Sequence, residues 1–144
     1  MRISLLHFGT MIALSLVSSA FSAESKYPVV QPDSQALAVA SKWLSVVDAG
    51  NYAESYAMLA ARIRAGALEK YWVGYLRARR APLGRPLSRK FVEAQFSKTL
   101  PGSPDGYYEF FTYATSFQHK AKGAEQVTLT KETGHWQVSG YRFR

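Results

Sequence analysis

Side chains that transfer protons near neutral pH are few in this sequence. Histidine is the usual general base in that range, and the chain has three, at His7, His119 and His135. His7 lies in an apolar leader, His119 in a Gln-His-Lys-Ala-Lys loop, and His135 beside a turn. We interpret the last two as solvated surface residues. Their places at opposite ends of an expected hairpin argue against a shared metal site.

Carboxylates and tyrosines offer a second route to acid–base chemistry if the fold holds them in a pocket. The candidates are Asp48, Glu109, Glu125, Tyr56 and Tyr113. Glu125 shares strand parity with Val127 and could point inward, or it could pair with Lys120 or Lys122 at a strand end. Asp48 fits a helix-ending turn or the partner of an arginine. HExxH, phosphate-loop, Gly-x-Ser-x-Gly and dinucleotide motifs are absent from the sequence, so we expect no enzyme, no metal and no cofactor.

Aromatic side chains could line an apolar ligand pocket or simply fill the core. The pocket candidates are Tyr56, Trp72, Tyr75, Tyr113, Phe117, Trp136 and Tyr141. The segment YYEFFTYATSF, residues 107–117, places rings on both faces of an expected strand. Only one face can pack on helices. Tyr107, Phe111 and Tyr113 share one face, and Tyr108 and Phe110 the other. Whichever face does not pack on the helices is expected to be an exposed patch or a partner surface, and we hypothesise a homodimer through it.

The segment YLRARRAPLGRPLSRK, residues 75–90, holds six basic residues and no acidic one. A helix C-terminus favours cations, which explains the first three arginines without any ligand. Alternatively, the segment forms a patch that contacts an anionic ligand, a lipid headgroup or an acidic envelope partner. The residues proposed for that contact are Arg79, Arg80, Arg85, Arg89 and Lys90. Nucleic-acid binding is not expected, because base-reading and ring-stacking residues are missing near the charge.

Residues 1–23 are typical of a secretory signal, with a positive start, an apolar middle at 8–17 and small residues at the end. Cleavage is expected between residues 20 and 23. The apolar run is shorter than the roughly 20 residues that a membrane-spanning helix needs. The chain has no cysteine, which excludes disulfides, a thiol nucleophile and a lipid-modified cysteine. We expect an exported, periplasmic protein that is neither a lipoprotein nor membrane-spanning.

Periodicity predicts an extended leader at 24–32 and a single domain at 33–144. Helical spacing predicts three helices: from Asp33 or Ser34 to Asp48, from a capping box at Asn51 through Ile63, and from Gly66 to before Pro82. Alternation predicts four strands, near 92–96, 107–117, 125–131 and 135–143, with a turn at 121–123. The fold class is therefore α+β, with three N-terminal helices packed on a curved four-stranded antiparallel sheet.

Several positions, taken together, resemble a known family. They are Trp43-Leu44, Asp48, Gly50, Tyr52, Gly84, Arg89, the LPGSPDG turn at 100–106, Phe117, Glu125, Gly134-x-Trp136 and Gly140-Tyr141. This order and spacing resembles the bacterial exported family called domain of unknown function 4019. Tyr56 departs from the tryptophan usual there. The order of helices and strands is also similar to the cone-shaped nuclear-transport-factor-2-like superfold, which hosts both enzymes and inert modules.

The resemblance and the missing motifs together favour a non-enzymatic ligand-binding or protein-interaction module of the cell envelope. One alternative is a small enzyme of the ketosteroid-isomerase kind, which needs an inward carboxylate or tyrosine in a cavity. Another is an inhibitor or immunity protein that acts on an envelope enzyme.

Overall fold

The computed structural model describes residues 26–144. The helices are α1 Ser34–Asp48, α2 Tyr52–Ala57, α3 Ala61–Gly66 and α4 Glu69–Arg79, followed by a 3-10 turn at Ala81–Leu83. The strands are β1 Val29–Val30, β2 Pro86–Ser97, β3 Tyr108–Phe117, β4 Lys120–Lys131 and β5 Trp136–Phe143. The predicted α+β class is confirmed. The expected signal, residues 1–23, lies outside the described residues. No helix in the described part is long and apolar enough to cross a membrane.

The sheet is antiparallel throughout and follows the order β1-β2-β3-β4-β5. The predicted count of four strands is wrong because part of the extended leader joins the sheet. Val29 pairs with Gln95 and Val30 with Ala94, near the C-terminal end of β2. Pro32 follows this pairing and lacks the N–H that a longer strand would need.

The predicted count of three helices is also wrong, because the second predicted helix is interrupted. Between α2 and α3 the chain leaves the helical path. Leu59 forms a parallel bridge with Val138, and the N–H of Ala60 donates to the carbonyl of Val138 at 2.8 Å. A contact with β5 therefore overrides local helix propensity.

The cap predicted at the start of α1 is confirmed, and the one predicted for α2 is wrong. The Asp33 side chain accepts from the N–H groups of Gln35 at 2.8 Å and Ala36 at 3.2 Å. Asn51 makes no side-chain cap hydrogen bond. Gly50 adopts the positive φ of 78° expected after α1.

Helix α1 packs on the face of the sheet that we call the inner face. Its apolar stripe includes Trp43, Leu44 and Val47, which are buried with Phe111 and Val127 of the sheet. The indole Nε1 of Trp43 donates to the carbonyl of Ser55 at 2.9 Å. This hydrogen bond ties α2 to α1 and satisfies the polar edge of a fully buried ring.

Two strand predictions need correction. β2 begins at Pro86 and so contains the end of the basic segment, and a bulge at Val92 breaks its alternation. Phe91 takes the inner-face position opposite Tyr113, and Val92 is 47% exposed. The predicted turn at 121–123 is strand, since β4 already starts at Lys120.

The aromatic patch expected on the other, outer face is not exposed. Tyr108 is 2% and Phe110 5% exposed. Tyr27 stacks on Phe110 with ring centroids 4.8 Å apart, and the Tyr108 hydroxyl donates to the carbonyl of Pro104 at 2.6 Å. The leader and the turn before β3 therefore cover the rings. The homodimer stays a prediction, now without the apolar patch that motivated it.

Candidate functional site

Four charged side chains meet between the helices and the inner face of the sheet. Asp48 is the last residue of α1, Arg80 follows α4, Arg89 lies on β2 and Glu125 on β4. We call these four residues the inner network. Two of them were predicted to contact an external anion, yet the fold turns both toward carboxylates of the same chain.

Arg89 lies at the centre of the inner network and binds both carboxylates. Its Nη1 and Nη2 donate to Asp48 Oδ2 and Oδ1 at 2.7 and 2.9 Å. Its Nε and Nη2 donate to Glu125 Oε2 and Oε1 at 2.7 and 3.1 Å. Such paired N–H···O bonds match the planar guanidinium to a carboxylate and are among the stronger hydrogen bonds in proteins.

Arg80 closes the other side of the inner network and is 2% exposed. Its Nη2 donates to Asp48 Oδ1 at 2.9 Å, and its Nη1 to the carbonyl of Gly84 at 2.7 Å. Its Nε donates to the Tyr141 hydroxyl at 3.2 Å, while the guanidinium lies 4.5 Å from the Phe117 ring centroid. Arg80 is therefore enclosed by the protein. Both interpretations of Asp48 hold, because it ends α1 and is also the partner of two arginines.

Glu125 points inward and accepts four hydrogen bonds. Besides the two from Arg89, it accepts one from Thr115 Oγ1 at 2.6 Å and a short one from the Tyr141 hydroxyl. A carboxylate offers about four lone-pair positions, so all of them are occupied. The alternative pairing with Lys120 or Lys122 does not occur. Glu125 holds this part of the fold together and has no lone pair left to take a proton from a substrate.

The surroundings shift the protonation of three groups. Burial alone would lower the pKa of Arg89, but hydrogen bonds to Asp48 and Glu125 raise it above its ordinary value. Burial, reinforced by Glu125, raises the pKa of the Tyr141 hydroxyl well above its usual range. Burial raises the pKa of Tyr113 to about 12. The Tyr113 hydroxyl is buried without a hydrogen-bond partner within the described residues, so both tyrosines stay neutral at ordinary pH.

The remaining acid–base candidates lie elsewhere. Glu109 accepts from the N–H of Asp33 at 3.2 and 3.3 Å, at the start of α1. Burial raises the pKa of the Glu109 carboxyl, which this N–H only partly offsets. The Tyr56 hydroxyl donates to the carbonyls of Arg64 and Ala67, which places it against α3. The five candidates therefore do not share one site.

The seven aromatic pocket candidates are spread through the structure. Trp72 and Tyr141 pack against Trp43, Tyr75 contacts Phe143, and Tyr113 contacts Phe91. Phe117 lies under Arg80, and Trp136 lies beside Lys131 at the start of β5. A depression of about 290 Å³ is lined by Thr112, Ala124, Glu125, Gln126, Arg142, Phe143 and Arg144. None of these is one of the seven aromatic candidates, although Glu125 is an acid–base candidate. Four of the seven rings are buried, Tyr56 and Trp72 are half-buried and Tyr75 is exposed, so the seven do not enclose one pocket.

A second feature is a group of cations at one end of the sheet. Lys90 on β2 pairs with Ala114 on β3, and Ala114 pairs with Ala124 on β4. Ala124 in turn exchanges backbone hydrogen bonds with Arg144. These residues form a row across the outer face of the sheet. We call this region the basic end, and its residues are Arg85, Lys90, Lys120, Lys122, Arg142 and Arg144. All six residues are exposed. Adjacent strands lie about 4.8 Å apart, so this row spans on the order of 14 Å.

The chain segments that form the basic end carry no acidic residue. The segments 85–92, 118–124 and 140–144 contain no Asp or Glu. None of the salt bridges within residues 26–144 involves Arg85, Lys90, Lys120 or Lys122. Arg79 is also exposed, near this end at the close of α4. Of the five predicted contact residues, Arg79, Arg85 and Lys90 are therefore accessible, while Arg80 and Arg89 belong to the inner network.

Sequence reasoning missed four of the six residues of the basic end. Lys120 and Lys122 come from the start of β4, Arg142 from β5 and Arg144 from just after it, all far along the chain from residues 75–90. A charge count along the sequence treats them as separate. A strand-parity argument could have found them, because Lys122, Ala124 and Gln126 alternate with Glu125, and Arg142 pairs with Gln126.

The geometry indicates no metal site in the described part of the chain. Within residues 26–144, no three His, Asp or Glu side chains come together as metal ligands would. His119 and His135 are both exposed, as expected. The buried carboxylates of the inner network are already neutralised by arginines.

Comparison with known proteins gives a single kind of match. No curated protein and no solved structure matches the chain, so the likeness to the nuclear-transport-factor-2-like superfold stays a prediction. A family model described as "Protein of unknown function (DUF4019)" matches residues 39–141. That range runs from α1 into β5 and contains the whole inner network. The chain therefore belongs to the DUF4019 family.

Proposed function

We propose that this protein is an exported, non-enzymatic module that binds an acidic partner protein in the cell envelope through its basic end. The observation that carries the proposal is the basic end itself, where six exposed cations lie close together on chain segments that contain no Asp or Glu. Complementary charge steers association and selects partners. The export part rests on the signal-like pattern of residues 1–23.

The interior supports a binding module over an enzyme. An enzyme of the ketosteroid-isomerase kind needs a carboxylate that can exchange a proton with a substrate. Glu125 accepts hydrogen bonds from four donor groups. Glu109, on β3, accepts from the N–H of Asp33 at the start of α1, away from Glu125. The Tyr113 hydroxyl makes no hydrogen bond within the described residues. The Phe91 ring packs against the Tyr113 ring, however, and the nearby Glu125 carboxylate is already occupied by its four donors.

A protein partner suits the basic end better than a lipid surface. Within residues 26–144, the backbone of residues 87–93 on the neighbouring strand β2 hydrogen-bonds only to β3, and a lipid headgroup surface offers no row of backbone groups to pair with it. A protein can supply both carboxylates and backbone hydrogen bonds.

Salt-dependent binding to a carboxylate polymer tests the proposal. The full chain is titrated with labelled poly-glutamate at low and at physiological salt, and with vesicles that contain anionic phosphatidylglycerol. We expect poly-glutamate binding that weakens steeply with salt. The variant Lys90→Glu/Lys122→Glu should lose it. The matched control Lys42→Glu/Lys70→Glu, in which exposed helix lysines are reversed, should retain most of it. Binding to vesicles alone would replace the protein partner by a membrane, and no binding at low salt would overturn the proposal.

A further inference from the structure

Among residues 26–144, most of strand β2 has no neighbouring strand on one side. β1 pairs with β2 only at Gln95 and Ala94, with one further bond from the N–H of Phe96 to the carbonyl of Pro28. Within residues 26–144, the backbone of residues 87–93 hydrogen-bonds only to β3. An antiparallel strand points alternate N–H and C=O groups away from its neighbour. Residues 87–93 therefore present unpaired donors and acceptors at a sheet edge.

This edge carries apolar side chains that an exposed strand rarely shows. Leu87 is 62%, Val92 47% and Phe91 37% exposed. Phe91 lies on the inner face, against the rings of Phe111 and Tyr113 at 5.9 and 5.8 Å between centroids. The edge thus continues directly into the buried aromatic core. A strand added beside it would cover the exposed part of Phe91.

Edge strands often carry bulges and lysines that prevent pairing with other chains, and β2 has both. Its register shifts lie between Pro86 and Ser88 and between Phe91 and Glu93. They flank a regular stretch from Ser88 to Phe91, which pairs without interruption with residues 113–116. Within it, Arg89 is fixed by the inner network. The bulges therefore bound a short, rigid edge rather than disrupting all of it.

Charge indicates which chain can occupy the edge. Arg85 and Lys90 lie along it, and its one acid, Glu93, lies beyond the second register shift, where it accepts a hydrogen bond from Gln95 Nε2. Two copies of β2 paired antiparallel through the regular stretch 88–91 would bring their Lys90 side chains close together, because an isologous interface repeats the same surface. An added strand whose carboxylates lie on the outer face of the sheet would instead place them beside Lys90, with favourable charge.

We infer that an extended acidic segment of a partner protein adds as a strand to the edge of β2 at residues 87–93, with carboxylates beside Lys90 and apolar side chains over Phe91. This inference rests on the proposed function and specifies how that partner binds. The recognition mode is β-strand addition, in which the backbone supplies hydrogen bonds and alternate side chains supply specificity.

A designed peptide tests the pairing. The probe is an acetylated eight-residue peptide of alternating glutamate and valine, titrated into the full chain while amide hydrogen exchange is followed by NMR. We expect slower exchange for amides among residues 87–93. A fully N-methylated peptide keeps the charges and side chains but cannot pair, and it should not bind. Lys90→Glu should weaken binding roughly fivefold, the value of one exposed charge pair of about 1 kcal/mol, and should favour a lysine–valine peptide. Lys42→Glu serves as the control.

The outcomes separate the inference from the proposed function. If the peptide binds and slows amide exchange at residues 87–93, and if N-methylation abolishes this effect, both the strand addition and the proposed function are supported. If poly-glutamate binds but the peptide gives no protection there, or if N-methylation changes nothing, strand addition is wrong and the proposed function stands. If neither poly-glutamate nor the peptide binds at low salt, both are wrong.

Discussion

Arg89 and Glu125 form a two-point ion pair across the inner face, although β3 lies between their strands. The Nε–Oε2 and Nη2–Oε1 distances are 2.7 and 3.1 Å, and the Glu125 side chain is fully buried. Because Arg89 also binds Asp48 at the end of α1, one guanidinium joins β2, β4 and the first helix. Several expected properties of the protein follow from this pair.

Replacing Arg89 by Met should cost about 3–5 kcal/mol of unfolding free energy, because it leaves Glu125 buried without its cation. Urea denaturation followed by tryptophan fluorescence measures the loss. Lys90→Met is the control on the next residue of the same strand, where the side chain is exposed, and should change stability by less than about 0.5 kcal/mol. An equal loss of unfolding free energy in the two variants would show that the buried ion pair contributes no more to stability than the exposed lysine.

Removing both partners should be less costly than the single changes suggest. In Arg89→Met/Glu125→Met the uncompensated carboxylate is gone, and the two effects should couple by about 0.5–3 kcal/mol. A complete double-mutant cycle in urea measures this coupling. Additive losses would contradict direct interaction between the two side chains.

Asp33→Ala should destabilise the protein by about 1 kcal/mol at neutral pH through loss of the α1 cap. The N–H of Ala36, helped by that of Gln35, holds the pKa of Asp33 below its ordinary value. The folded state thus releases this proton more readily, so the stabilisation is present above the unfolded pKa and is lost as pH falls through the folded one. The difference in Tm between wild type and variant should shrink from pH 7 to pH 3. Ser34→Ala, which removes none of the cap hydrogen bonds, should leave Tm nearly unchanged.

Glu109→Gln should have the opposite pH dependence. Since burial raises the pKa of the Glu109 carboxyl, the folded state favours the protonated form. Its contribution is favourable below the unfolded pKa and is lost as pH rises through the folded pKa. The glutamine variant should therefore gain on the order of a few degrees in Tm at pH 7 relative to wild type and lose that advantage near pH 4. A gap that widens at low pH would contradict this account.

Gly84→Ala should be more harmful than Gly50→Ala. Both glycines have positive φ, 75° and 78°, which costs an alanine about 1 kcal/mol. An added Cβ at Gly84 would also lie 2.8 Å from Gln118 Cβ, whereas nothing lies within 4 Å at Gly50. We expect an additional loss of about 1–3 kcal/mol at Gly84, measurable by urea denaturation. Similar losses at both sites would exclude crowding by the β3–β4 hairpin.

Sequence patterns predicted the parts of the structure that depend on near neighbours. The cap at Asp33, the end of α1 at Asp48 and the strand near 107–117 follow from local spacing, and the structure has all three. Strand parity offered an inward direction for Glu125 as one of two interpretations, and the structure has that one. These features need no knowledge of the rest of the chain.

The features that were not predicted depend on distant partners. The break between α2 and α3 requires Val138, and the burial of Arg80 requires Asp48 and Tyr141. The sequence of residues 75–90 predicted one basic surface, yet Arg80 and Arg89 point inward because they form ion pairs with Asp48 and Glu125. No periodicity within the segment carries that information.

The bridge from Leu59 to Val138 has a consequence for the order of folding during synthesis. The chain from α2 to α4 is made before β5, but Ala60 hydrogen-bonds to β5, and Arg80 and Glu125 both hydrogen-bond to Tyr141 on that strand. The helices therefore cannot complete their contacts until residues 136–143 have left the ribosome. A nascent chain that stops before β5 would leave Arg80 and Glu125 without their hydrogen bonds to Tyr141, so we expect it to remain incompletely folded.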